Sequence, residues 1–127
     1  MEDEVADMHE YSLTQQIIQT IESHIGNSGV TRVTDINLVI GDNSGCAADS
    51  IALYFSIIAK NSLCAGARLN IERIIPKLQC KVCGKLFERR PFEFKCPEKN
   101  CPGEGKPTDI GREFYIKSIE IEDINGT

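Results

Sequence analysis

Four of the six cysteines fall within one 22-residue stretch, as Cys80-Lys-Val-Cys83-Gly84 and, after twelve intervening residues, Cys96-Pro-Glu-Lys-Asn-Cys101. Two thiolates three residues apart can face one ion if the chain folds tightly beneath them, and Gly84 permits the turn after the second sulfur. The four-residue gap in the second pair is at the upper end of ordinary zinc spacing. Such pairs in a reducing compartment read as metal ligands before disulfides, the alternatives being two unrelated pairs or a redox disulfide. An S4 cage is coordinatively closed, so the ion it holds organises a module and does not catalyse. The stretch 77–109 needs such a staple. Its bulky apolar side chains are Leu78, Val82, Leu86, Phe87, Phe92 and Phe94, and segments under roughly 40 residues seldom fold unaided. Structural zinc supplies on the order of 10–16 kcal/mol in comparable modules.

The pattern outside this stretch is that of an α+β body. Residues 1–7 hold four acids and no periodicity, which reads as an acidic flexible tail. Ser12, followed by Gln15 as in a capping box, opens a helix to Ile25 with Leu13, Ile17, Ile18, Ile21 and Ile25 on one face. Period-two alternation from Arg32 to Ile40 predicts a strand, and residues 41–45 are a turn. A second helix follows over 47–60, with Ile51, Tyr54, Phe55 and Ile58 as its apolar face. Leu69 and Ile71 begin a strand that Pro76 ends. The last strand, 113–122, changes phase between Ile116 and Ile119, which predicts a bulge near Lys117-Ser118. The expected fold is therefore α+β: a small mixed sheet of about three strands with two helices, plus an inserted zinc-ribbon-like four-cysteine module. The body spans 8–76 and 110–127, and the zinc-binding domain spans 77–109.

Charge and composition narrow the function. The net charge is −5, yet 77–109 carries eight basic and five acidic residues, leaving −8 for the remainder. A uniformly basic nucleic-acid surface is excluded on that distribution. No apolar run approaches the roughly 20 residues of a membrane helix. The acidic first residues do not resemble a secretory signal, so a cytoplasmic location is expected. No phosphate loop, nucleophile elbow or spaced acid pair suggests catalysis, and the protein is not expected to be an enzyme.

Met8-His9-Glu10 precedes the first helix. The His9 imidazole and its own backbone nitrogen suit an ion that favours square-planar nitrogen donors, nickel(II) or copper(II). Glu10 would add a carboxylate or orient the imidazole. A solvated histidine beside a helix start is the plainer alternative. Taken with the Ile40-Gly41-Asp42-Asn43-Ser44-Gly45 turn, the CxxCG knuckle and the closing Gly111-to-Glu122 strand, this motif gives a chain that resembles the HypA/HybF family of nickel-insertion proteins over about 8–123. The resemblance implies a metallochaperone that delivers nickel to the large-subunit precursor of [NiFe]-hydrogenase, and in some organisms to urease, with the GTPase HypB as partner. It implies transferable Ni(II) at His9 and Glu10 and structural Zn(II) at Cys80, Cys83, Cys96 and Cys101. This sequence departs from the family pattern in three places. Residues 1–7 precede the motif, the last cysteine pair is two residues wider, and a carboxylate expected before the second helix falls on Ala47, with Asp49 the nearest acid.

A second class of function is a zinc-ribbon adaptor binding nucleic acid or a transcription partner through Lys77, Lys81, Lys85, Arg89, Arg90 and Lys95, with steep salt dependence. The −8 body and the Met-His-Glu motif disfavour it. His24 reads as a solvated partner of the helix C-terminus, and Cys46 and Cys64 read as small packed residues. Packing around the metal loop is the expected role of Phe87, Phe92 and Phe94, ahead of base stacking.

Overall fold

A computed structural model of the chain describes residues 2–26 and 28–123, and the side chains of 9–26 and 28–122. The elements run α1 (Glu2–Ile25), β1 (Val30–Gly41), α2 (Ala48–Ile58), a short 3-10 turn (Ala59–Asn61), β2 (Arg68–Ile74), β3 (Lys77–Cys80), β4 (Leu86–Glu88), β5 (Gly105–Pro107) and β6 (Phe114–Asp123). Two three-stranded sheets form, ordered β2-β1-β6 and β4-β3-β5. The chain divides into two compact units, one of residues 1–39, 46–72 and 115–127 and the other of 40–45 and 73–114. The second unit therefore takes in strand ends beyond the stretch 77–109. Residues 124–127 of the expected body lie outside the described residues.

In the first unit, β1 lies between its neighbours. Asp35 meets Arg68 and Asn37 meets Asn70 at a constant offset of 33, so β1 and β2 run parallel with α2 as the crossover. Against β6 the partners run in opposite order, Thr31 to the Glu122 carbonyl and Thr34 to the Glu120 carbonyl, which is antiparallel. The mixed sheet expected from the sequence is thus present. Val33, Ile36, Leu38 and Val39 of β1 are buried with Ile17, Ile18, Ile21 and Ile25 of α1 and Ile51 and Phe55 of α2. Arg68 neutralises buried Asp35 at 3.0 Å. Along β6, Phe114, Ile116 and Ile119 are half-buried and Lys117 and Ser118 are both exposed, whereas Ile121, expected on the face of Ile119, is 47% exposed.

Two element boundaries differ from expectation. Ser12 does not cap α1: the helix starts at Glu2, and 2–7, expected to be a tail, are helical in backbone. Acidic residues in a first turn are stabilised by the helix dipole, and this run of them extends the helix upstream of the apolar stripe. The end at Ile25 is as expected, with Gly26 at φ +29. The second helix stops at Ile58 and tightens into the 3-10 turn that carries Ala59 and Lys60. Among the described residues no helix is long and apolar enough to cross a membrane.

Candidate metal centres

In the second unit, β3 pairs antiparallel with β4 and β5, Leu78 standing opposite both Phe87 and Pro107. Cys80 ends β3. Its N–H donates to the Lys85 carbonyl at 2.9 Å, closing the first knuckle, and the Gly84 N–H returns to the Cys80 carbonyl at 3.1 Å. Gly84 has φ +77, the conformation for which glycine was expected there. In the second knuckle the Cys101 N–H donates to the Glu98 carbonyl at 3.1 Å, and the wider gap is absorbed by Asn100 at φ 66, a left-handed conformation that asparagine tolerates. The Cys96 N–H reaches the Gly103 carbonyl at 3.0 Å, tying that knuckle shut.

These two loops bring the four sulfurs together. Cys80 and Cys101 Sγ are 3.6 Å apart, and Cys83 and Cys96 Sγ are 3.7 Å apart. All four lie within 4.8 Å of one another. Sulfurs about 2.3 Å from a zinc ion occupy tetrahedron edges of about 3.8 Å, so the separations fit one ion and exceed any disulfide bond. Each of three sulfurs is also an acceptor. Cys80 takes the N–H groups of Val82 and Cys83, Cys96 that of Glu98 and Cys101 that of Gly103, all at 3.4 Å. Such bonds favour the thiolate form that a metal requires. The Cys83 N–H foremost draws the Cys80 thiol down to about 6, whereas burial pushes the Cys96 thiol up to about 12. One sulfur is therefore prepared as an anion, and another waits for the metal to displace its proton.

A glycine completes this centre. A Cβ on Gly103 would collide with the Cys80 sulfur and press on Val82. Gly103→Ala is expected to weaken zinc binding by about 10- to 100-fold, equivalent to an overpacking penalty of about 1–3 kcal/mol, in a chelator competition. Packing explains Phe87, whose ring edge faces Gly105, but not Phe92. Phe92 is fully exposed with φ 60, because the Pro91-Phe92 turn between Arg90 and Glu93 needs a positive φ at its third residue. Phe94 is half exposed.

The second cluster belongs to the first unit, where α1 packs on α2. His9 is exposed, and its Nε2 lies 4.0 Å from Cys46 Sγ. Glu10, next along the helix, is 4% exposed. The Ala47 N–H donates to its Oε2 at 2.9 Å. Ala47 is the N-cap of α2 and has no side chain that could accept a bond there, so the Glu10 carboxylate serves the helix start and its dipole from a neighbouring helix. Thr14, fully buried, returns its hydroxyl to the Glu10 carbonyl at 2.7 Å. Tyr11 meets Tyr54 edge-on, ring centroids 5.5 Å apart. Asp49 is exposed in the first turn of α2, and His24 is exposed in the last turn of α1. Cys64 is buried, and burial raises its thiol, as a packed residue requires. Sequence reasoning missed the meeting of Cys46 with His9. Its signal was the place of Glu10 and Thr14 in the spacing of the apolar stripe, which turns that end of α1 toward α2.

Comparison with known proteins yields one family. The sequence model of the family described as "Hydrogenase/urease nickel incorporation, metallochaperone, hypA" matches residues 8–121. The hydrogenase maturation factor HypA of Caldanaerobacter subterraneus subsp. tengcongensis is 39% identical over 116 residues, 91% of this chain and 100% of that one. That of Dehalococcoides mccartyi is 36% identical over 91% of this chain and 96% of its own. Among solved structures, the Ni metallochaperone HypA from Helicobacter pylori superposes with a TM-score of 0.57 at 24% identity, over 88% of this chain and 96% of that one, a likeness of fold.

Proposed function

The chain belongs to the HypA family, and from that premise we propose how this member divides two metals between two centres. It is a nickel metallochaperone of hydrogenase maturation, not an enzyme. The zinc-ribbon adaptor is not favoured beside that membership. We assign zinc to Cys80, Cys83, Cys96 and Cys101, where it supplies a cross-link between two knuckles and no chemistry. We assign the transferable nickel to the cluster at His9 and Glu10.

The observation that supports this division is the contrast in donor sets, four converged sulfurs in one centre and an exposed imidazole beside a carboxylate in the other. Cys80 and Cys96 are buried, Cys101 is half-buried and Cys83 is exposed, and the four sulfurs lie within 4.8 Å of one another, a closed set with Gly103 packed against the Cys80 sulfur. His9 stands exposed on α1. A carried ion must be bound tightly enough to be selected and loosely enough to be surrendered. A small donor set with one exposed member, His9, meets both demands, because a receiving side chain can approach the ion from the imidazole's side. The recipient in this proposal is the [NiFe]-hydrogenase large-subunit precursor, with the GTPase HypB as partner and urease maturation proteins as further recipients, in the cytoplasm. His9→Ala is expected to abolish nickel binding in equilibrium dialysis while about one zinc per chain is retained. Unchanged nickel affinity would refute the assignment.

A further inference from the structure

We infer that the Cys46 thiolate is a ligand of the carried nickel, bound together with the His9 imidazole; this rests on the carrier reading above. Neighbouring residues on α1 meet neighbouring residues at the start of α2, His9 against Cys46 and Glu10 against Ala47. The second contact fixes the first. With the Ala47 N–H on Glu10 Oε2 at 2.9 Å, the residue before it is held beside the imidazole, and Nε2 and Sγ stand 4.0 Å apart. One ion can bind both atoms only if their separation is no more than the sum of the two bond lengths, about 4.3 Å for nitrogen and sulfur on a first-row ion. At 4.0 Å the pair lies inside that limit and wider than the roughly 3.1–3.5 Å of cis or tetrahedral ligands, so the two side chains must close by about 0.5–1 Å on the ion.

The chemistry of the pair is selective. Imidazole and thiolate are borderline and soft donors, which favour nickel and its later neighbours over magnesium, calcium and manganese. Cys46 is half-buried and its partner His9 is exposed. On binding, the thiol proton is released to solvent and the sulfur lone pair forms the metal bond. The Glu10 carboxylate then acts as a positioning group for Cys46, because the bond to Ala47 commits one of its oxygens to the start of α2.

The test is a titration of the zinc-replete full chain with Ni(II), read by near-ultraviolet absorption and by metal content. Thiolate bound to nickel gives a charge-transfer band that imidazole and carboxylate ligands do not, and thiolate bound to zinc, a filled-shell ion, does not contribute there. The expected result is a band that grows to saturation with zinc retained, is absent in Cys46→Ser, and is accompanied by about tenfold or greater weakening of nickel binding in that variant. Cys46→Ala, which brings no hydroxyl as a substitute donor, should give the same loss. Nickel binding with the same affinity and spectrum in wild type and both variants would overturn the thiolate assignment and leave the carrier reading standing. If the wild-type chain takes up no nickel at all, the carrier reading falls and the thiolate assignment with it.

Discussion

Stripping zinc from the four-cysteine module, by a strong chelator or by Cys80→Ser, is expected to unfold residues 77–109 and leave the helices intact. The module's sheet consists of strands of three and four residues. Phe92 contributes nothing to an interior, and Val82 and Leu86 only part of their surface, being 100%, 67% and 45% exposed. Leu78 is its one large apolar side chain that is fully covered. A structural zinc contributes on the order of 10–16 kcal/mol, far more than so small an interior can supply. Limited proteolysis should therefore cut within the module in the stripped protein and not in the loaded one. The far-UV helical signal should persist, since α1 and α2 belong to the other unit and to its core. Resistance to cleavage after zinc loss would refute the metal's structural role. Acid acts in the same direction. Burial raises the Cys96 thiol, so protons compete with zinc at that sulfur. Affinity must rise with pH and fall with acid, and zinc should be released as pH is titrated downward.

Ile51→Ala carries the second large effect. Ile51 is wholly buried in the first turn of α2, and truncating such a side chain costs about 2–5 kcal/mol through lost transfer energy and the cavity left behind. A fall in Tm of roughly 10 °C or more is expected in calorimetry. Leu53→Ala, two residues on but 59% exposed, should stay within about 0.5 kcal/mol of wild type. The same helix start presents Cys46 and Ala47 to α1, so Ile51→Ala should also loosen nickel binding. Equal stability of the two variants would show that α2 is not seated as described.

Much of this was legible in the sequence because the signals were local. Two cysteine pairs at short spacing specify a tetrahedral set almost irrespective of what surrounds them, and Gly84 marks the turn that closes the first. Period-two patterns in β1 and β6 give strands. Ser12 misled because a capping box describes a helix start only if nothing upstream prefers the helix, and the acidic run does. Phe92 misled because aromatic residues near a metal loop usually pack, while its position after Pro91 was decided by turn geometry. The pairing of His9 with Cys46 spans 37 residues and depends on how α1 lies on α2. No local pattern contains that, and a buried glutamate in the line of the apolar stripe was its one trace.

α1 runs unbroken through His9. In an α-helix the N–H of His9 is spent on the carbonyl four residues earlier, so its main-chain nitrogen is closed to any ion while the first turns stay wound. An ion gripped by ring and sulfur leaves that coil whole. One that also takes the peptide nitrogen must peel away the residues ahead of it, so the cargo's coordination would be written in how much helix survives its arrival.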